Sequence, residues 1–220
     1  MTSTPPANFD RIAPAYRWLE YLTLGPILQR CRTHFLPQIL HQHHALVLGD
    51  GDGRFLATLL RAHPHLHADA VDSSPAMLHL LHQRCLRATP TAAQRLRIHP
   101  TNALTFTPSP HCDLVVAHFF LDCLAQSEVD QLIATTAARI SPNALWLISD
   151  FRIPTGPLRP IARLYIRALY LAFRLLTGLR TTHLPNHETP LRSAGLIRTA
   201  QHHSLFGLLT TEIWSHTPAP

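Results

Sequence analysis

Lysine is absent from this 220-residue chain, whose 19 basic residues are all arginine. The histidine, alanine and proline that abound beside them assign that absence to composition rather than to mechanism. Cysteine is scarce as well. Cys31, Cys85, Cys112 and Cys123 form no C-x-x-C pair and no disulfide-like framework, so they read as free thiols of a reducing compartment. No uncharged apolar run reaches the length that spans a bilayer, and Met1 to Asp10 lacks the basic and then apolar order of a signal sequence. A cytoplasmic protein is expected. Acids are missing from one stretch: between Phe151 and His187 there is neither Asp nor Glu, but there are six arginines, Arg152, Arg159, Arg163, Arg167, Arg174 and Arg180. These six equal the whole net charge of +6, because the other 13 arginines face 13 acids. Basicity so confined argues against a general nucleic-acid surface and for one special segment.

Glycine numbers only eight, yet three of them alternate in Leu46-Val47-Leu48-Gly49-Asp50-Gly51-Asp52-Gly53-Arg54-Phe55. Apolar residues running into this turn, with an amphipathic stretch after it, predict a buried strand, a tight turn and a helix. About twenty residues on, Asp72 closes the run Ala70-Val71-Asp72-Ser73-Ser74, at the tip of a neighbouring parallel strand where an acid can take a ribose diol. That pairing points to an adenosine-containing ligand. A dinucleotide fingerprint requires a third small residue where this chain has Arg54, and Asp50 and Asp52 would face a pyrophosphate with like charge where phosphate binders offer backbone N–H groups. A cationic, phosphate-free cofactor fits better, and S-adenosylmethionine is such a molecule. The bland alternative is a Gly/Asp-rich surface turn without a ligand.

The length fits one domain, with no internal repeat. Apolar spacing over Ile12 to Leu36, broken near Gly25-Pro26, predicts two N-terminal helices within a cap over residues 1–40. Five apolar runs follow in a core spanning 44–150: Ala45–Gly49, Ala68–Asp72, Leu96–His99, Asp113–Ala117 and Ala144–Asp150. Helical patterns at Arg54–Ala62, Pro75–Ala88 and Ser127–Ile140 alternate with them, with Ser127 as an N-cap and Pro75 at a helix start. Residues 151–187 form an Arg-rich apolar lid, and 188–220 a hairpin in which Leu196–Ser204 and Leu208–Ser215 flank Phe206-Gly207. The expected fold is α/β, a doubly wound, mostly parallel, seven-stranded sheet in which the hairpin adds the one antiparallel strand.

This order of elements, the GxGxG turn and Val71-Asp72-Ser73-Ser74-Pro75-Ala76-Met77-Leu78 together resemble a class I S-adenosylmethionine-dependent methyltransferase, with its Rossmann-like fold. The similarity continues through Asn102-Ala103, Cys112-Asp113-Leu114-Val115-Val116-Ala117-His118-Phe119 and Leu147-Ile148-Ser149-Asp150-Phe151. Within that superfamily, Phe9-Asp10-Arg11-Ile12-Ala13-Pro14-Ala15-Tyr16 and Asp150-Phe151-Arg152-Ile153-Pro154 are similar to the ubiquinone/menaquinone biosynthesis C-methyltransferases. The resemblance implies that Gly49, Gly51 and Gly53 meet the methionine end of the cofactor, that Asp72 holds its ribose, and that Met77 or the Ser73-Ser74 backbone flanks the adenine. Asn102 and Ala103 would lie near its amino edge and His118 near the sulfonium. Two departures stand out. Val47 replaces the acid that usually precedes the glycines, which turns attention to Asp50 and Asp52 for the ammonium, and Tyr16-Arg17 replaces the usual Tyr-Asp.

Methyl transfer is an in-line displacement at an activated carbon, so alignment and desolvation dominate. A phenol or enol acceptor would gain from a base near neutral pKa, for which His118 at a strand tip is the candidate. Asp122 would orient it or cap the next segment, and Asp150 would border the cleft or end its strand facing water. Tyr16, Phe119 and Tyr165 are candidate acceptor contacts. The clusters His41-Gln42-His43-His44, His63-Pro64-His65-Leu66-His67 and His202-His203 follow no zinc pattern, and no metal is expected. On a helical projection Arg159, Arg163, Arg167 and Arg174 share one edge about 80° wide on an otherwise greasy helix, Leu158–Gly178. That edge either faces water or touches anionic lipid headgroups.

The activity these features imply is methylation of a small or lipophilic acceptor, with a quinone-like ring carbon as the first reading and a phospholipid amine or other small nucleophile as the second. A binding scaffold without catalysis is the alternative from another class. A nicotinamide oxidoreductase is disfavoured by Arg54.

Overall fold

Runs such as Leu46-Val47-Leu48 and Leu114-Val115-Val116 have no polar alternation, as strands buried on both faces require. The computed structural model of the chain describes residues 25–177, 181 and 183–216; the first expected N-terminal helix, Tyr16 and Arg17 lie outside them. Seven strands, β1 (His44–Leu48), β2 (His67–Asp72), β3 (Leu96–Pro100), β4 (Leu114–His118), β5 (Leu145–Phe151), β6 (Ile197–Ser204) and β7 (Leu209–Ser215), form one sheet in the order β3-β2-β1-β4-β5-β7-β6. The first five run parallel, and β7 runs against both β5 and β6. It is the one reversed strand.

Seven α-helices accompany the strands among the described residues: α1 (Gly25–Thr33), α2 (Arg54–Ala62), α3 (Pro75–Ala88), α4 (Ala92–Arg95), α5 (Gln126–Ala137), α6 (Arg159–Thr177) and α7 (Glu188–Ser193). Phe55, Leu56, Leu59 and Leu60 recur on one side of α2, and they pack with Leu81 of α3 against Val47, Val116 and Leu147. On the other face Val129, Leu132 and Ile133 of α5 and Leu191 of α7 cover Trp146, Ile148 and Trp214. Both faces are thus buried, as a doubly wound sheet demands. The α3 start follows its local signals: Pro75 is at the first turn and the Ser74 side chain accepts the Met77 N–H at 3.2 Å.

The α5 start differs from the expected Ser127 cap. Ala125 is the cap residue, because the Glu128 carboxylate accepts its N–H at 2.8 Å and so replaces a side-chain cap from Ser127. Gln126 then exchanges two hydrogen bonds with Asn186, at 2.9 and 2.7 Å, which ties α5 to the segment following α6.

The chain leaves β1 towards β2 on one side, while β4 adds on the other. The crevice at the carboxyl ends of β1 and β4 is therefore the switch point at which such sheets bind ligands. Two helices close in from the β5 side. Leu28 and Cys31 of α1 pack on Leu209 with Phe119 and Phe151 beside them, and Ala162, Ile166 and Tyr170 of α6 pack on Leu208 with Phe151 and Leu205 beside them.

Candidate functional site

Gly49, Gly51 and Gly53 have φ of +61°, +57° and +81°, a left-handed run open to glycine at low cost. The turn is compressed from two sides. A Cβ on Gly53 would lie 2.7 Å from the Leu81 Cα of α3, and one on Gly49 would run into the Phe120 ring. The Gly49 N–H donates to the Val71 carbonyl at 3.0 Å, which fastens the turn to β2. Asp50 accepts the Leu56 N–H at 2.9 Å, capping α2 where a negative charge meets the positive end of its dipole. Asp52 is buried and turned into the protein: Arg84 reaches its carboxylate at 2.6 Å and its carbonyl oxygen at 2.8 Å, and the Arg54 Nε lies at 3.3 Å. Arg84 was no part of the sequence expectation.

At the tip of β2, Asp72 accepts the Ser74 N–H on its carboxylate at 2.8 Å and the Thr101 N–H on its carbonyl at 3.1 Å. Ser73 is exposed beside it, whereas Met77 is buried. Asn102, just past β3, accepts the Leu104 N–H at 2.9 Å, and Ala103 packs against the α5-side core. The turn, Asp72 and Asn102 thus stand at the carboxyl ends of three adjacent parallel strands.

His118 ends β4, and it belongs to a buried polar chain that crosses three strands. Thr211 donates to the Cys31 carbonyl at 2.9 Å, Ser149 lies 3.0 Å from the Thr211 hydroxyl, and the His118 Nδ1 lies 2.8 Å from the Ser149 hydroxyl. With Thr211 donating to the carbonyl, Ser149 donates to Thr211 and His118 to Ser149, so the proton sits on Nδ1 and Nε2 is bare. That Nε2 is buried with no hydrogen-bond partner among the described residues. Burial, helped by the charge of Arg32, holds the imidazole pKa well below its ordinary value, so the ring is neutral. Phe119 follows with a φ of +53°, strain that non-glycine residues carry at sites where the fold imposes it. Its ring lies 5.3 Å from that of Phe151, and the Arg32 guanidinium sits 5.3 Å from its centroid.

Asp122 makes no hydrogen bond to His118 among the described residues. It belongs to a second group, with Asp150 and Tyr170. Asp150 is buried rather than facing water; its carboxylate accepts the Phe151 N–H at 2.8 Å. The Tyr170 hydroxyl of α6 donates to the Asp122 carbonyl at 2.9 Å, and the Cys123 thiol donates to the Asp122 carboxylate at 3.5 Å. Burial pushes Asp122 up to about 6, and burial together with the charge of Asp122 pushes Asp150 well above the usual carboxylate range. Two such acids cannot both ionise cheaply. His187 stands next in line, 4.0 Å from Asp150 and 3.2 Å from Glu212. Burial opposes the charge of Glu212, but His187, the Trp214 indole and Arg198 outweigh it and bring Glu212 down to about 2. Sequence reasoning passed over His187, Glu212, Tyr170, Ser149 and Arg32. Glu212 did carry a signal, as the lone acid in the run Leu208–Ser215.

Tyr165 of α6 is half-buried, and its buried hydroxyl has no hydrogen-bond partner among the described residues. Of the first histidine cluster, His44 holds one carboxylate oxygen of Asp69 at 2.7 Å, and His99, outside the clusters, holds the other at 2.7 Å. Among the described residues no three His, Cys, Asp or Glu side chains gather as metal ligands. A groove of about 600 Å³ between α5 and α7, lined by Asp130, Ala134, Thr189, Pro190 and His216, shares no residue with the strand tips.

Residues 46–146 match the family model described as a methyltransferase domain. Among curated proteins none matches the sequence. Solved structures do resemble the fold. The mitomycin 7-O-methyltransferase MmcR superposes with a TM-score of 0.70 at 18% identity, over 96% of this chain and 61% of its own. The magnesium protoporphyrin IX methyltransferase ChlM of Synechocystis PCC 6803, with SAH bound, gives 0.69 at 13% identity, over 95% and 96%. SibL, a methyltransferase described as S-adenosylmethionine-dependent, gives 0.67 at 22% identity, over 97% and 63%. The chain thus spans about three fifths of the length of the mitomycin enzyme.

Proposed function

We propose that this chain is an S-adenosylmethionine-dependent methyltransferase whose acceptor is a small or lipophilic molecule bearing a phenolic or enolic hydroxyl. The observation that carries the reading is a glycine turn rich in acid at the switch point of a sheet whose seventh strand alone is reversed, with Asp72 at the tip of the adjoining strand β2. S-adenosylmethionine supplies a methyl group activated by a sulfonium. The glycine backbone gives the methionine end its close approach, Asp72 takes the ribose hydroxyls, and Asn102 and Ala103 border the adenine beside Ser73 and Met77. Asp52 spends its carboxylate on the Arg84 guanidinium, whereas Asp50 accepts a backbone N–H of α2 and is the acid of the turn assigned to the ammonium.

On the acceptor side, Phe119, Phe151 and Tyr165 offer aromatic surface between α1 and α6. Asp122 and Asp150 share one proton, and the ionised partner takes the hydroxyl proton as the methyl group arrives on oxygen or on the adjoining ring carbon. His118 is the weaker base, because its buried imidazole resists protonation. Oxygen as acceptor atom agrees with the name of the mitomycin enzyme. Methylation of a quinone-like ring carbon uses the same deprotonated hydroxyl; of the two stretches that resemble the quinone enzymes, Phe9 to Tyr16 lies outside the described residues and Asp150 to Pro154 within them.

Calorimetry with S-adenosylmethionine, S-adenosylhomocysteine and NAD tests the cofactor; preference for NAD, or indifference to all three, would sink the proposal. A methyl-transfer screen over phenols, quinols and lipids, read by release of S-adenosylhomocysteine, tests the activity. Activity should fall as pH drops through about 6, the region in which Asp122 is protonated. Asp122→Asn should lower kcat by about 10²–10⁴-fold, the usual worth of a general base. An unchanged acid limb in that variant would remove Asp122 from the role.

A further inference from the structure

We propose that the outer face of α6 docks onto an anionic lipid bilayer. The helix is held to the protein along one side, where Ala162, Ile166 and Tyr170 are buried. Its opposite side is apolar and uncovered: Ile161 is 66% exposed, Leu164 71%, Leu171 58% and Leu175 77%. A helix that faced only water would carry charge there. Leu158, the residue before the helix, and Ile153 are exposed apolar residues as well. The β6–β7 turn, which packs on α6 through Leu205 and Leu208, carries Phe206 at 84% exposure.

Along one border of this face run Arg159, Arg163, Arg167 and Arg174, all exposed. Apolar residues facing outward with arginines at their margin are what a helix lying in the headgroup plane presents. The helix is about 28 Å long at 1.5 Å per residue, and no described helix is long and apolar enough to cross a membrane. It would lie on the bilayer, not span it.

Charge decides the occupant. A second copy of the chain would bring arginine against arginine, since residues 151–187 contain no acid to pair with them. An anionic bilayer supplies phosphates to the arginines and acyl chains to the leucines. The inference is independent of methyl transfer, because vesicle binding needs no catalysis. It also gives a lipophilic acceptor a path, for α6 brings Tyr165 and Tyr170 to the strand tips from its inner side.

Flotation of the full chain with phosphatidylcholine vesicles, with and without phosphatidylglycerol, is the test. Binding should require phosphatidylglycerol and should weaken as salt rises from about 0.1 M to about 1 M, which shortens the screening length from roughly 10 Å to 3 Å. Arg163→Gln with Arg167→Gln should lower partitioning about thirtyfold, at the usual worth of an arginine near such a surface. Arg61→Gln with Arg139→Gln removes the same charge from exposed positions elsewhere, and should bind as the native protein does. Leu164→Glu with Leu171→Glu should abolish binding while the thermal melt stays unchanged. Equal losses in both arginine pairs would reduce the effect to net charge and overturn the proposal. So would absence of binding, or a dimer in sedimentation velocity that Leu164→Glu dissolves, which would assign the face to a second copy.

Discussion

Asp52 and Asp72 each sit beside a tight turn at a strand tip, and a sequence pattern treats them alike. Their partners separate them. Asp52 is buried under two arginines and bonded to one of them twice, so its charge is spent on fastening α3 to the glycine turn. Asp72 has its Oδ1 on a local N–H and stands at the carboxyl end of β2, where a ribose would lie. Asp72→Ala should therefore weaken S-adenosylhomocysteine binding by roughly 1.5–3 kcal/mol, the cost of losing hydrogen bonds to a charged partner, with little change in melting temperature. Asp52→Ala should do the reverse. Its cost is about 1–3 kcal/mol of stability, below the full figure for breaking a buried pair, because Arg84 is 37% exposed and water can take up its charge. Calorimetry and thermal melts on the two variants measure both effects. A larger affinity loss for Asp52→Ala than for Asp72→Ala would return Asp52 to the cofactor set.

At the scale of elements, α2 and α3 span the residues the sequence pattern assigns to them, because their limits are set locally: by glycine before Arg54, and by Ser74 and Pro75 before Ala76. The α2–α3 packing depends on the missing side chain of Gly53. Gly53→Ala combines a left-handed φ with a Cβ 2.7 Å from a backbone atom of α3, and should cost about 2–4 kcal/mol in a denaturant titration. What the sequence did not disclose is polar and distant. Ser149 is 31 residues from His118, Thr211 is 62 from Ser149, and the Cys31 carbonyl is 180 from Thr211. These residues meet only because β7 returns antiparallel to β5 in a register that sets Thr211 opposite Ser149. No local spacing encodes a register between strands so far apart. The same holds for Asp150, for which the sequence leaves open a place bordering the cleft or a strand end facing water until α6 lays Tyr170 over the site. The doubly wound sheet with one reversed strand, by contrast, followed from the alternation of apolar runs and helical patterns and from the C-terminal hairpin, since right-handed crossovers leave few topologies open.

Across the whole molecule, the buried titratable groups pull stability in opposite directions with pH. Glu212 titrates near 2 against an ordinary 4.5, and Asp69 is lowered by His99 and His44 in spite of its burial. Their contribution is present above the ordinary carboxylate range and is lost as pH falls through their folded values. His118, kept neutral by burial, adds to the same limb, because the unfolded chain takes up its proton below about 6.5. Asp122 and Asp150 act the other way. Folding holds their protons when the unfolded chain has released them, so their contribution is complete below 3.8 and is lost as pH rises through about 6 for Asp122 and further up for Asp150. A rise from 3.8 to about 6 corresponds to roughly 3 kcal/mol of preference for the protonated form. The protein should accordingly be most stable in mild acid and lose stability towards alkaline pH. Asp150→Asn keeps the shape of the protonated acid and removes its titration, so it should melt above the native protein by a margin that grows from about pH 5 to about pH 8. On the proposed function, methyl transfer should fall in the same variant, because the carboxyl pair assigned to supply the base is held against its own ionisation, a function maintained at the expense of stability. Melting curves at several pH values beside a release assay for S-adenosylhomocysteine measure both. A variant destabilised equally at every pH would show that Asp150 serves the fold alone.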